Sequence, residues 1–190
     1  MKKLFSILII VFILLGCSTK PKIISPIEVV ETIMSELKKE ANNSTFLEDE
    51  GIYISKFNEL LASFDYEVLK ETIDDNKAIV EVDIKTYDFK QAYNNTFDSF
   101  LDKLRNKEIE VDENTLQDTI DEFLLDELNN LETQGKNYSK TVSLNLDLIE
   151  NEWVIDENEY GKLGEAITSE INNLDMSSFN EELEKILQDY

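Results

Sequence analysis

Thr141-Val142-Ser143-Leu144-Asn145-Leu146-Asp147-Leu148-Ile149, followed by Glu150-Asn151 and then Glu152-Trp153-Val154-Ile155, is the stretch that decides the fold. Val142, Leu144, Leu146 and Leu148 alternate with Thr141, Ser143, Asn145 and Asp147. A strict period of two with one apolar and one polar side predicts a half-buried strand. The polar pair Glu150-Asn151 turns it into a second strand ending at Ile155. The same period appears upstream of this hairpin. From Tyr66 the chain alternates to an Asp74-Asp75-Asn76 turn, and Ala78, Val80, Val82 and Ile84 then alternate with Ile79, Glu81, Asp83 and Lys85. Two hairpins with one wet face each can share one antiparallel sheet.

The segments between and around the hairpins carry a helical period instead. Ser25-Pro26-Ile27-Glu28 opens a helix, with Ser at the cap, Pro at the first helical position and Glu placed to reach back to the cap N–H. Ile27, Val30, Ile33, Met34, Leu37 and Ala41 make its apolar face. Tyr53, Phe57, Leu60, Leu61 and Phe64 form a second stripe. Phe89, Ala92, Tyr93, Phe97, Phe100, Leu101 and Leu104 follow Asp88 as a third. A fourth helix is expected from an Asn114/Gln117 capping pair to Gly135, one near Tyr160 to Leu174, and a short one from Ser178. The expected fold class is therefore α+β: an antiparallel sheet of about four strands, as two hairpins, packed against several amphipathic helices in a cone-like arrangement.

The N-terminus reads differently. Met1-Lys2-Lys3 is a basic start, Leu4 to Leu15 is almost continuously apolar, and Leu14-Leu15-Gly16-Cys17 ends the run. About 12 apolar residues fall short of the roughly 20 that span a bilayer, which favours a secretory signal over a membrane helix. Leu-Leu-Gly-Cys resembles the lipobox of bacterial lipoproteins, although Leu15 departs from the small or β-branched residue often found there. That resemblance implies cleavage before Cys17 and a lipid on its sulfur. The expected organisation is a signal peptide over 1–16, a lipidated Cys17 with tether over 17–25, and a single extracytoplasmic α+β domain over 26–190. The expected location is the outer face of the cell membrane. Removing residues 1–16 takes away Lys2 and Lys3 but no acid, so 16 basic side chains remain against 41 acidic ones, a formal charge of −25.

Composition removes much chemistry. The 190 residues include no His and one Cys, so imidazole catalysis, an internal disulfide and a Cys/His zinc cluster are all excluded. The five Gly make neither a phosphate loop nor a dinucleotide fingerprint. Arg105 is the sole arginine, and the acid excess argues against nucleic acid. Asp156-Glu157-Asn158-Glu159-Tyr160-Gly161 begins like a calcium loop but places Tyr160 at the fifth position and Ile167 at the twelfth. No cofactor, metal ligand or catalytic residue is expected. Paired carboxylates are the one acid–base option left, which keeps a hydrolase acting on envelope glycans or peptides as the enzymatic alternative. A third reading is an acidic surface protein that holds cations, because Glu108 to Glu132 carries ten acids and no Lys or Arg.

The strand running directly into a helix at Val82-Asp83-Ile84-Lys85-Thr86-Tyr87-Asp88-Phe89, with the final strand Glu152-Trp153-Val154-Ile155-Asp156, resembles small lipoproteins of unassigned function in low-GC Gram-positive bacteria. The resemblance implies a cystatin-like or nuclear-transport-factor-like domain, in which a curved sheet wraps helices. Some such domains hold ligands in a conical cavity, and Tyr87, Phe89, Tyr93, Phe97 and Trp153 are the residues that would line it here. The expected role is a non-enzymatic binding or interaction module. Its expected partners are the membrane through the lipid anchor, a basic protein or small ligand, and a second copy of the chain as a homodimer.

Overall fold

The computed structural model describes residues 24–43, 52–112 and 114–188. The expected signal peptide, Cys17 and most of the expected tether lie outside these. The order of elements is α1 (Pro26–Asn43), α2 (Ile52–Ala62), β1 (Asp65–Asp74), β2 (Lys77–Thr86), α3 (Phe89–Arg105), α4 (Leu116–Gln134), β3 (Tyr138–Ile149), β4 (Glu152–Ile155), α5 (Glu157–Ile167) and α6 (Ser177–Gln188), with a 3-10 turn at Ile171–Asn173. The fold is α+β, and the strands form one antiparallel sheet in the order β1-β2-β3-β4.

The alternation read in the sequence sets the buried face. Val80, Val82, Ile84, Leu144 and Leu146 are at most 2% exposed. α1 covers this face over β1 and β2, and α5 covers it over β3 and β2. Val30 and Met34 of α1, Phe64, and Leu163, Ala166 and Ile167 of α5 complete one core with it. Each such aliphatic or aromatic side chain contributes about 1.5–3 kcal/mol by leaving water.

β1 pairs with β2 in two registers. Val68 faces Val82 but Lys70 faces Glu81, so Leu69 is an extra residue bulged out of the ladder. The bulge changes which side chains face the core. Beyond it Glu71 takes the core side, opposite Val80, and accepts the Ile27 N–H through Oε2 at 3.2 Å. A carboxylate there meets the positive end of α1. The expected capping box is also formed, with Glu28 N–H donating to Ser25 Oγ at 3.2 Å and Ser25 N–H to Glu28 Oε2 at 3.1 Å.

Three helix boundaries differ from the sequence expectation. The Asn114/Gln117 pair does not cap α4. Asp112 Oδ1 instead accepts the N–H groups of Asn114 at 2.9 Å and Thr115 at 3.0 Å, while Gln117 donates to Asp121. The single helix expected over 160–174 is broken, because Ser169 and Glu170 adopt φ of 48° and 61° and turn the chain away. α6 begins at Ser177, where Asp175 Oδ1 accepts the Ser177 N–H and hydroxyl. At the two helix starts an upstream aspartate carboxylate outcompetes a weaker acceptor.

α3 packs on α4 and on α6. Phe100, Leu101, Leu104, Phe179 and Leu183 form their shared core. A third cluster, containing Leu60, Phe89, Ala92, Leu124, Leu128 and Leu131, joins α2 to α3 and α4. Gly135 ends α4 at φ 78° and ψ −179°, an extended positive-φ conformation that a Cβ would strain.

Candidate functional site

The residues expected to line a ligand cavity start at the passage from β2 to α3. Asp88 caps α3 by accepting the Gln91 N–H at 3.0 Å, and its own N–H donates to Asn137 Oδ1 at 3.1 Å. The Lys90 N–H donates to Ser169 Oγ at 3.2 Å, and Ser169 is itself buried. The left-handed turn at 169–170 thus brings a hydroxyl to the helix start. The strand-into-helix passage is held from two separate segments, at Asn137 and Ser169.

From this point an aromatic chain runs through the helical part of the molecule. Tyr87 meets Phe89 at 6.2 Å between ring centroids, Phe89 meets Phe57 of α2 at 4.8 Å, and Phe57 meets Tyr93 edge-on at 6.5 Å. Tyr93 contacts Phe97 at 6.1 Å, Phe97 contacts Phe179 of α6 at 4.5 Å, and Phe179 contacts Phe100 at 6.3 Å. Tilted and edge-to-face pairs of this kind add about 0.5–1.5 kcal/mol each beyond area burial. Burial, with smaller effects from Tyr53 and Asp121, pushes the Tyr93 hydroxyl up to about 12.

Tyr87, Phe89, Tyr93 and Phe97 are therefore brought together, and the partners of their rings are other side chains of the fold. Trp153 is elsewhere. It lies on the core side of β4 opposite Leu148, in the cluster under α1 and α5. A shallow depression along α1, lined by Glu28, Glu31, Thr32, Ser35, Glu36 and Lys39, opens to solvent and has no aromatic wall.

The carboxylates have specific duties. β4 ends at Ile155, opposite Leu146, which leaves the Asn145 N–H of β3 without a strand neighbour on that side. Glu159 of α5, 5% exposed, accepts that N–H through Oε2 at 3.3 Å and the Asn145 side-chain amide through Oε1 at 3.0 Å. Lys162 donates to both Glu159 oxygens at 2.8 Å. Burial alone would raise this carboxyl, but the bonds from Lys162 and Asn145 outweigh it and hold it below the ordinary glutamate value of 4.5. The segment that resembles a calcium loop is thus a helix start, with Asp156 Oδ1 accepting the Asn158 N–H at 2.8 Å. An Asp-Glu-Asn-Glu run directly after a strand was the available signal for this plug, but its target on β3 is eleven or more residues away in sequence.

Other acids join elements. Asp65 at the start of β1 meets Lys136 at 2.6 Å and Lys38 at 3.6 Å, and the Lys136 hydrogen bond holds its carboxyl below the ordinary aspartate value. Glu132 of α4 meets Lys56 of α2 at 2.7 Å. Glu170 pairs with Lys140, and Glu182 of α6 with Arg105 of α3. On α4, Asp118, Glu122 and Asp126 stay exposed as a row of like charges. Among the described residues, no group of three or more His, Cys, Asp or Glu side chains is placed to hold a metal ion, and no helix is long and apolar enough to cross a membrane.

No protein-family model matches the chain, and no curated protein matches it. One solved structure is similar, a "putative lipoprotein (ycdA)" from Bacillus subtilis subsp. subtilis str. 168, with 16% identity and a TM-score of 0.42. The match covers 75% of this chain and 47% of the Bacillus chain, so the alignment spans about half of that protein. A likeness this loose fixes neither the fold nor the activity of either one.

Proposed function

We propose that the chain is a lipoprotein anchored at Cys17, whose α+β domain works on the outer face of the cell membrane as a non-enzymatic binding module. The observation that carries this reading is Leu14-Leu15-Gly16-Cys17 at the end of a short apolar run behind Lys2-Lys3. The two acyl chains of a diacylglyceryl group on the sulfur, each buried CH₂ contributing about 0.8 kcal/mol, hold a protein on a bilayer stably where one chain is marginal. The deployment of the acids supports binding over hydrolysis. Asp88, Asp112, Asp156 and Asp175 cap helices, Glu159 and Glu71 close backbone N–H groups, and Asp65 and Glu132 join elements by ion pairs. The partner is a protein or small ligand of the envelope, and the exposed row on α4 favours a cationic one.

The test is fractionation of cells making the full chain or Cys17→Ser. The parent is expected in the membrane fraction with its N-terminus at a lipid-modified Cys17 by mass spectrometry, and the variant in the soluble or uncleaved fraction. A parent whose mature N-terminus lies elsewhere, or a Cys17→Ser chain that remains acylated and membrane-bound, overturns the anchor. In-cell crosslinking from the anchored parent then reads the binding role, and a domain that captures nothing while releasing fragments from cell-wall material is a hydrolase.

A further inference from the structure

Both hairpin turns and the start of α1 lie at one end of the sheet. Lys77 at the start of β2 pairs with Asp147 near the end of β3, and the Leu148 N–H donates to Asn76 O at 2.8 Å, so the Asp74–Lys77 and Ile149–Glu152 turns are neighbours. α1 begins there, since the Ile27 N–H bonds Glu71 three residues before the first turn. It finishes at the other end, where Lys38 Nζ donates to Phe64 O at 2.6 Å just before β1. All the links to the helical bundle leave from that other end: Ser63 and Phe64 from α2, Tyr87 and Asp88 into α3, and Gly135 to Asn137 out of α4. β3 separates the two ends by about 35–40 Å at roughly 3.3 Å per residue.

Exposed apolar side chains are not spread evenly between these ends. Of the seven large ones among the described residues, Ile24, Ile73, Ile79, Ile149 and Val154 all sit within three residues of the two turns or the start of α1, and they are 45–55% exposed. Ile73 is on the core side beyond the cover of α1, whereas Ile79, Ile149 and Val154 are on the outer side, so together they ring the end. Single exposed apolar residues are ordinary, but their concentration at one place marks a contact surface. What meets this surface follows from chain length. Six residues link Cys17 to Ile24, and the seven steps reach at most about 25 Å.

We infer that the two-turn end of the sheet is a bilayer-contacting surface, with Ile24, Ile73 and Ile149 seated at the headgroup level, and that the α3–α4–α6 bundle is the outward end offered to partners. This rests on the anchor reading above. Asp74, Asp75, Glu150 and Glu152 stand on the same turns, so the contact is shallow and weaker on anionic than on zwitterionic lipid, the opposite of a polybasic anchor.

The full lipidated chain has no free thiol other than one introduced by substitution, which makes site-specific labelling direct. Ile73→Cys, Ile149→Cys and, at the other end, Gln134→Cys each receive a bimane fluorophore in phosphatidylcholine vesicles containing a headgroup-nitroxide lipid. All three positions are exposed, so folding is retained, and circular dichroism checks it. Quenching several-fold stronger at 73 and 149 than at 134, and weaker when phosphatidylglycerol is added at low salt, is the expected result. Equal or reversed quenching in a chain whose Cys17 is lipid-modified by mass overturns the orientation and leaves the anchor standing. An unmodified Cys17 overturns both. Labels at 73 and 149 shielded from aqueous iodide but not quenched by lipid, together with a dimer mass, assign the end to a second copy and overturn the proposal.

Discussion

Glu159 shows how one side chain can close a structural problem that strand pairing leaves open. A hydrogen bond to a charged group contributes about 1.5–3 kcal/mol, and the part-buried Asn145 N–H beyond the end of β4 donates to the buried Glu159 carboxylate. Replacing Glu159 by Ala therefore costs about 1.5–3 kcal/mol, measured by urea unfolding at pH 7. Glu159→Gln keeps an acceptor but loses the charge that holds Lys162, so it costs less. The pH dependence has a definite sign. Because the folded carboxyl lies below its ordinary value of 4.5, its ionised form stabilises the fold at neutral pH, and that contribution fades as pH falls through the lowered value. The gap between the parent and Glu159→Gln is expected to narrow on going from pH 7 to pH 3. A gap that widens on acidification shows that the charge is not what stabilises the site.

Among the elements, the glycines separate two kinds of backbone requirement. Gly164 sits inside α5 with open space where a Cβ would go, and Gly135 ends α4 at φ 78° with equally open space. Sterics with neighbours are the same, so only conformation distinguishes them. Gly164→Ala is expected to stabilise by about 0.5–1 kcal/mol through helix propensity and a smaller unfolded ensemble. Gly135→Ala is expected to destabilise by about 1–3 kcal/mol because φ 78° with ψ −179° is an extended positive-φ conformation that only glycine adopts readily. Thermal melts showing the same sign for both would refute the conformational argument. Much at this scale was legible in the sequence: both hairpins, the α1 capping box, the Asp88 start of α3 and the Gly135 stop. The Leu69 bulge was not, because Tyr66 and Val68 alternate normally and only the pairing with β2 reveals the change of face at Glu71. The break at Ser169-Glu170 was equally hidden, since neither residue type signals a left-handed turn and its reward is a bond to Lys90 far upstream.

At the scale of the whole molecule, the edges of the sheet and its two ends have different characters. β1 is an open edge bearing a bulge, Lys70 and several acids, and β4 is only four residues long before Glu159 takes over, devices that disfavour pairing with another chain. The sheet and the α3–α4–α6 bundle have separate apolar clusters joined through the Leu60 and Phe89 group. Such a division predicts unequal local stability. Phe179→Ala removes the ring that meets both Phe97 and Phe100 and is expected to cost about 3 kcal/mol within the bundle. Hydrogen exchange should then quicken in α6 and the end of α3 while the central strands β2 and β3 keep their protection. Equal acceleration in the strands would show one cooperative unit.

The sequence by itself determined the types and limits of most elements, the buried side of each hairpin, the absence of imidazole chemistry and the expectation of an anchor at Cys17. These follow from local periodicity, capping and composition, which depend on residues a few positions apart. Only the tertiary structure decided that Tyr87, Phe89, Tyr93 and Phe97 pack into one chain of rings while Trp153 joins another core, which of 41 acids plugs the β3 edge, and at which end of the sheet α1 begins. Those outcomes depend on partners brought together from distant segments. A carboxylate or an aromatic ring carries no local mark of which such partner it will meet.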